Sequence, residues 1–265
     1  MSRYLINIPP IGGLSTQIYT GLAIILQNEI NLSEIESFKF NCLANWYDNN
    51  VFDNIFDYDN SHEYVPIDGF TIENGNKVFG NINRDMYCSV HDPTFNFDKL
   101  QYLINLNKIK PEVEDIISNY IDKYNINSST LGVHIRLTDM DIMHKAAYGK
   151  RCYENYIDKI LSIISINKSI KNIFIASDNY ESIDKIKNDI KSIDVNYIED
   201  IYRNDKEKSD NYVEQMNRSR DKKYIIDNFI DMYLLSKCGY LIHRISGFSY
   251  CSILYSKTIK NRYLI

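Results

Sequence analysis

Four short polar clusters in this chain carry residue types suited to holding an anion. They are Gly12 and Gly13 in "PPIGG", His134 and Arg136 in "GVHIRLTD", Ser177 and Asp178 in "FIASD", and Ser246 to Ser249 in "SGFS". Arginine offers a planar, permanently charged fork that fits a phosphate. A helix that opens on serine and glycine presents backbone N–H groups, hydroxyls and the positive end of its dipole. Aspartate accepts hydrogen bonds from a base or a sugar hydroxyl. Each cluster also has a plainer structural reading. Arg136 is equally suited to an ion pair with Asp139 or Asp178, Asp178 and Ser246 to capping the helices that follow, and His134 to a satisfied place in the core. "IGG" matches neither the Walker loop nor the dinucleotide fingerprint.

Strands must carry these clusters, and the pattern supplies them. "RYLINI" reads as a first strand, followed by the glycine loop and a helix over "LSTQIYTGLAIILQNEI". Residues 38–43 suggest a second strand, and residues 45–95 break into short pieces rich in Asn, Asp, Tyr and Gly. Helices are expected over 98–107 and 111–124, the second opened by Pro111 with acids in its first turn. The second half alternates more regularly. A strand at 130–136 precedes a loop, the amphipathic "YENYIDKILSIISI", the strand "KNIFIAS", the helix "SIDKIKNDI" and the short strand "VNYI". After a polar stretch at 200–220 come the helix "KKYIIDNFIDMYLLSKC", the strand "GYLIHRI" and a turn into a last helix. Strands alternating with helices predict an α/β fold with mostly parallel sheet. "NINSS" at 125–129 places the boundary between residues 1–127 and 128–265. In such sheets ligands bind outside the carboxyl ends of the strands, where all four clusters fall. His134 and Arg136, two apart on one strand, share a face.

Composition narrows the classes. The chain has 265 residues, 44% hydrophobic and 25% charged, with five prolines and ten glycines, as expected of ordered globular domains. A net charge of −5 leaves no whole-chain footprint for nucleic acid. Five scattered cysteines without a C-x-x-C pair suggest neither a zinc site nor a disulfide framework, and point to a reducing, cytoplasmic setting. No signal peptide and no transmembrane segment are expected, so any membrane contact is peripheral.

Taken together and in order, the clusters resemble one superfamily. "VHIRLTD" is similar to the H-x-R-R-x-D-like signature of GDP-fucose-dependent fucosyltransferases, the α-1,2, α-1,6 and protein O-fucosyltransferases. "HKAAY…CYENYIDKI" resembles the segment directly after that signature in the α-1,6 and nodulation-type enzymes. "IFIASDNYESIDKIK" resembles their strand–Asp–helix unit, and "IIDNFIDMYLLSKCGYLIHRISGFSYCSILYS" their C-terminal helix, strand and Ser-Phe-Ser turn. "PPIGGLSTQIY" is similar to their opening glycine loop. The resemblance spans residues 131–256 well and 15–125 thinly.

The resemblance implies a GT-B-like fold, two Rossmann-like domains facing a cleft, with the donor mainly on the C-terminal domain. It implies an inverting glycosyltransferase that moves L-fucose from GDP-fucose to a glycan acceptor without a metal or other cofactor. Donor contacts would come from Gly12, Gly13, His134, Arg136, Asp178, Ser246, Gly247, Phe248 and Ser249. Catalysis would rest on Arg136, on the signature's Asp139 and on His144, which matches the position of a glutamate in the α-1,6 type and would serve as general base. "DMD" at 139–141 formally matches a metal-holding D-x-D but lies inside the signature. Two departures stand out: Leu137 replaces the second Arg, and Met140 an expected Lys. They leave open a GT-B glycosyltransferase using another nucleotide sugar, or a catalytically weak nucleotide- or sugar-binding protein of the same fold. Trp46 and Tyr47 are candidates for stacking on an acceptor sugar, and Trp46 is as well suited to a core.

Overall fold

A computed structural model describes residues 2–8, 14–28, 30–42, 52–68, 71–73, 76–78, 97–136, 153–201, 222–244 and 246–265. The chain forms two compact units: residues 1–114, 216–229 and 246–255 make one, and 115–215, 230–245 and 256–265 the other. This division differs from a single cut at 127/128. The reason is the penultimate stretch of chain, which buries its apolar side chains within the first unit.

That unit holds a parallel sheet of order β2–β1–β3, made of β1 (Ser2–Ile8), β2 (Ile35–Cys42) and β3 (Val65–Asp68). Alternation decides the faces. Ile6, Ile8, Phe38 and Phe40 are fully buried on the side of α1 (Leu14–Gln27), whose own buried residues include Ile18, Leu22 and Ile25. Gly21 permits this close approach, since a Cβ there would lie 2.3 Å from the Phe40 ring. On the other face Lys39 pairs with Asp53 at 3.1 Å and Asn41 donates to Asn7 at 2.7 Å. A short antiparallel pair, β4 (Thr71–Glu73) and β5 (Asn76–Val78), then α2 (Phe97–Ile104) and the start of α3 (Pro111–Lys123) complete the N-terminal part. From the far end of the sequence comes α7 (Gly247–Tyr255), packed against α1 and α2. Tyr250 meets Tyr19 edge to face at 4.4 Å, and Gln101 donates to the Leu254 carbonyl at 3.3 Å.

The second unit is built on a five-stranded sheet, all of whose pairings are parallel, in the order β10–β9–β6–β7–β8. The strands are β6 (Thr130–Ile135), β7 (Asn172–Ser177), β8 (Asp194–Asn196), β9 (Tyr240–His243) and β10 (Asn261–Leu264). β6 lies at the centre and all six of its residues are buried, as an apolar run in a doubly covered parallel strand requires. Leu131, Val133, Ile135, Ile173, Ile175 and Ile242 form one core with α4 (Tyr153–Ile166) and α5 (Tyr180–Asp189). On the opposite face Gly132 sits beneath Leu235 and Cys238 at the end of α6 (Lys222–Lys237), where a Cβ would already be 3.0 Å from Leu235. β10 is a mostly exposed edge strand absent from the sequence expectation.

Candidate functional site

The second unit's strand order contains a reversal. From β6 the chain goes outward through β7 and β8, then returns to the other side of β6 to form β9 and β10. Ligands in such sheets bind at this switch, outside the carboxyl ends of the two diverging strands. Here those strands are β6 and β9, and what they deliver decides what the site can hold.

β6 delivers His134 and Arg136. His134 is 5% exposed and Arg136, one residue past the strand, is half-buried. The His134 imidazole is pushed down from 6.5 to about 3, by burial first, then by the Arg136 charge, then by His243. It is therefore neutral at physiological pH, with one N–H to donate and one lone pair to accept. β9 delivers His243 and Arg244, which motif reading alone does not single out. The register aligns Val133 with Ile242, so His243 falls beside His134 on the same face. His243, 1% exposed, donates from Nδ1 to the Arg244 carbonyl at 3.0 Å, which places a proton on that nitrogen. The sequence held a signal for this pair: "VHIR" and "IHR" both end strands, but only the strand order sets them side by side.

β7, on the other flank of β6, delivers Ser177 and Asp178. The cap of α5 is Asn179, whose side chain accepts from the Ser182 N–H at 3.0 Å. Capping therefore does not account for Asp178. Asp178 and Arg244 both act on the Tyr156 hydroxyl near the start of α4, which burial raises to about 12 while Arg244 pulls it down. His134, Arg136, Asp178, His243, Arg244 and Tyr156 thus belong to the carboxyl edge of one sheet.

In the first unit Ser246 caps α7: its hydroxyl accepts from the Ser249 N–H at 3.1 Å and lies 3.0 Å from the Ser249 hydroxyl. Gly247 touches the first turn of α1, where a Cβ would lie 2.9 Å from Thr16 Oγ1. The Cys251 thiol donates to the Ser15 carbonyl at 3.2 Å. Two helix starts, those of α1 and α7, therefore lie together, and each presents N–H groups and positive dipole. Phe248 is half-buried in the first turn of α7. Gly12, Gly13, Asp139 and His144, with Trp46, Tyr47, Leu137 and Met140, lie outside the described residues.

No family model and no curated protein matches the chain by sequence. Solved structures match it by shape over nearly its whole length. The fucosyltransferase NodZ from Bradyrhizobium aligns with a TM-score of 0.58 at 12% identity, covering 97% of this chain and 94% of that one. The NodZ α-1,6-fucosyltransferase soaked with GDP-fucose gives 0.56 at 13%, covering 96% and 93%. POFUT1 in complex with GDP gives 0.52 at 10%, covering 98% of each chain. At such identities the likeness is one of fold, and the chain has the GT-B-like α/β fold of these fucosyltransferases.

Proposed function

We propose that the chain is an inverting glycosyltransferase that moves L-fucose from GDP-fucose to a glycan acceptor without a metal. The observation that carries this reading is the carboxyl edge of β6: a half-buried guanidinium, Arg136, beside the neutral His134, in a fold whose solved neighbours were captured with GDP or GDP-fucose. As the bond between fucose C1 and the β-phosphate oxygen breaks, negative charge grows on that phosphate. Arg136 stabilises the growing charge more than it stabilises the ground state, and so lowers the barrier. His134 adds a hydrogen bond without competing charge. The helix starts at Ser246–Ser249 and behind Gly12–Gly13 are themselves suited to an anion, and Asp178 accepts hydrogen bonds from guanine or ribose. The acceptor oxygen attacks C1 from the face opposite GDP, and His144 takes its proton, with Asp139 beside Arg136 in the signature. A cytoplasmic, metal-free enzyme of this kind needs its charge neutralised by side chains alone.

Leu137 and Met140 in place of Arg and Lys favour a second reading, a nucleotide-sugar-binding protein with little turnover. Thermal stability with GDP, UDP and GDP-fucose, followed by GDP release across a glycan acceptor array, separates the two. Stabilisation by GDP with acceptor-dependent release is expected. Stabilisation without release on any acceptor supports the second reading, UDP preference supports another donor, and indifference to GDP sinks the donor assignment.

A further inference from the structure

We propose that the amino-terminal edge of the second unit's sheet docks on an anionic lipid surface. An open hollow of about 690 Å³ lies there, lined by Leu161, Ile164 and Ile193 and by three amines, Lys168, Lys171 and Lys191, against one carboxylate, Asp194. Topology sets its place. α4 ends at Ile166 and β7 starts at Asn172, while α5 ends at Asp189 and β8 starts at Asp194. The hollow is therefore built from the last turns of α4 and the connections that enter β7 and β8. This is the end of the sheet opposite His134 and Arg136, so docking leaves the carboxyl edge uncovered.

Two observations select a lipid surface. The first is apolar. Ile166, which ends α4, is 82% exposed, more than any other large apolar side chain among the described residues, and Leu161 is 43% exposed. A protruding aliphatic side chain suits entry into an acyl layer better than a peptide laid in the hollow beside it. The second is charge. The chain carries a net −5, so an anionic surface repels it except where amines cluster. Lys168, Lys171 and Lys191 are all exposed. Lys171 donates to the Lys168 carbonyl at 3.2 Å and Lys191 to the Lys187 carbonyl at 2.9 Å, and each ammonium keeps two further donors for a headgroup phosphate. The Lys168 ammonium has no hydrogen-bond or ion-pair partner among the described residues. The competing account is structural: the lysines serve only the last carbonyls of the helices, and Ile166 is a lone exposed apolar residue.

Sedimentation of the full chain with vesicles decides between them, and GDP plays no part in the result. The parent should bind vesicles of equal parts phosphatidylcholine and phosphatidylglycerol, release them as salt rises, and ignore phosphatidylcholine alone. Ile166→Ser should weaken binding by about tenfold, the effect of withholding one aliphatic side chain from the acyl layer. Lys168→Glu, Lys171→Glu and Lys191→Glu together should weaken it by about a hundredfold. Lys99→Glu, Lys108→Glu and Lys222→Glu, three exposed positions of the first unit, change net charge equally and should weaken it far less. Leu264→Ser, on the opposite edge of the sheet, should have no effect. In the parent, amide exchange over 161–171 and 191–194 should slow when vesicles are added. No binding by the parent, or equal losses from the two lysine triples, overturns the proposal. So does Ile166→Ser binding like the parent while soluble polyglutamate competes, which makes the partner an acidic polypeptide. Should the first lysine triple not fold, the exchange pattern decides: protection confined to other segments overturns the proposal.

Discussion

At the residue scale, Arg136 and His134 occupy adjacent positions of one face and make opposite demands. A half-buried arginine at a strand end contributes little to stability, whereas its charge acts on a leaving group in a partly desolvated site. Arg136→Met should therefore lower kcat by about a hundredfold and move the melting temperature by no more than about 3 °C. A large loss of stability with kcat preserved would make Arg136 a structural ion pair. His134 carries the pH dependence. Its folded value, about 3, lies below the ordinary 6.5. Below pH 6.5 the unfolded chain takes up a proton at this ring that the native chain refuses. The stability owed to the neutral ring is thus fully present above 6.5 and is lost as pH falls toward 3, at about 1.4 kcal/mol per pH unit. His134→Gln removes that titration, so urea midpoints should decline less steeply between about pH 6.5 and pH 4 than in the parent. Parallel declines would show that the native ring already protonates in that range.

At the scale of elements, what was legible in the sequence was what local pattern controls. The run "TLGVHI" reads as a buried strand and is the central one, with every residue buried. The helix after "FIASD" was legible too, but it opens at Tyr180, two residues before the expected "SIDKIKNDI", and its cap is Asn179 rather than Asp178. β10 was not legible: "NRYL" is polar and mostly exposed, and only pairing with β9 makes it a strand. β3, four residues with a proline, depends on β1 in the same way. His243 escaped notice because the strand order that sets it beside His134 is a long-range property. Gly247 shows the reverse case, a motif residue whose reason is packing. Its missing side chain lets the start of α7 rest on Thr16. Gly247→Ala should destabilise the chain by about 1–3 kcal/mol through overpacking. Thr16→Ala should recover only part of the loss, because Thr16 backbone atoms lie 3.2 and 3.3 Å from the added carbon. Full recovery would mean that the hydroxyl alone sets the fit.

At the scale of the whole molecule, sequence order and compact units do not coincide, and the consequence is testable. Residues 246–255 belong to the first unit although 115–215 and 230–245 lie in the second. Within α7, Tyr250, Cys251, Ile253, Leu254 and Tyr255 are all buried, and Tyr255 meets Phe229 at 5.8 Å. Five such side chains, at about 1.5–3 kcal/mol for each large one, amount to as much as the entire net stability of an ordinary domain. β10 by contrast is mostly exposed and adds an edge to a sheet whose central strands are already paired on both sides. Two truncations therefore have unequal effects. A fragment ending at residue 258 keeps α7 and the Thr258 hydroxyl that donates to the Ser236 and Cys238 carbonyls at 3.0 and 3.1 Å. It should retain slow amide exchange along α1 and along β6. A fragment ending at residue 245 loses α7 as well, and exchange along α1 should rise to that of a locally unfolded helix while β6 remains protected. Equal protection of α1 in both fragments would mean that α7 merely covers the first unit, and that residues 1–114 hold their sheet and helices together without it.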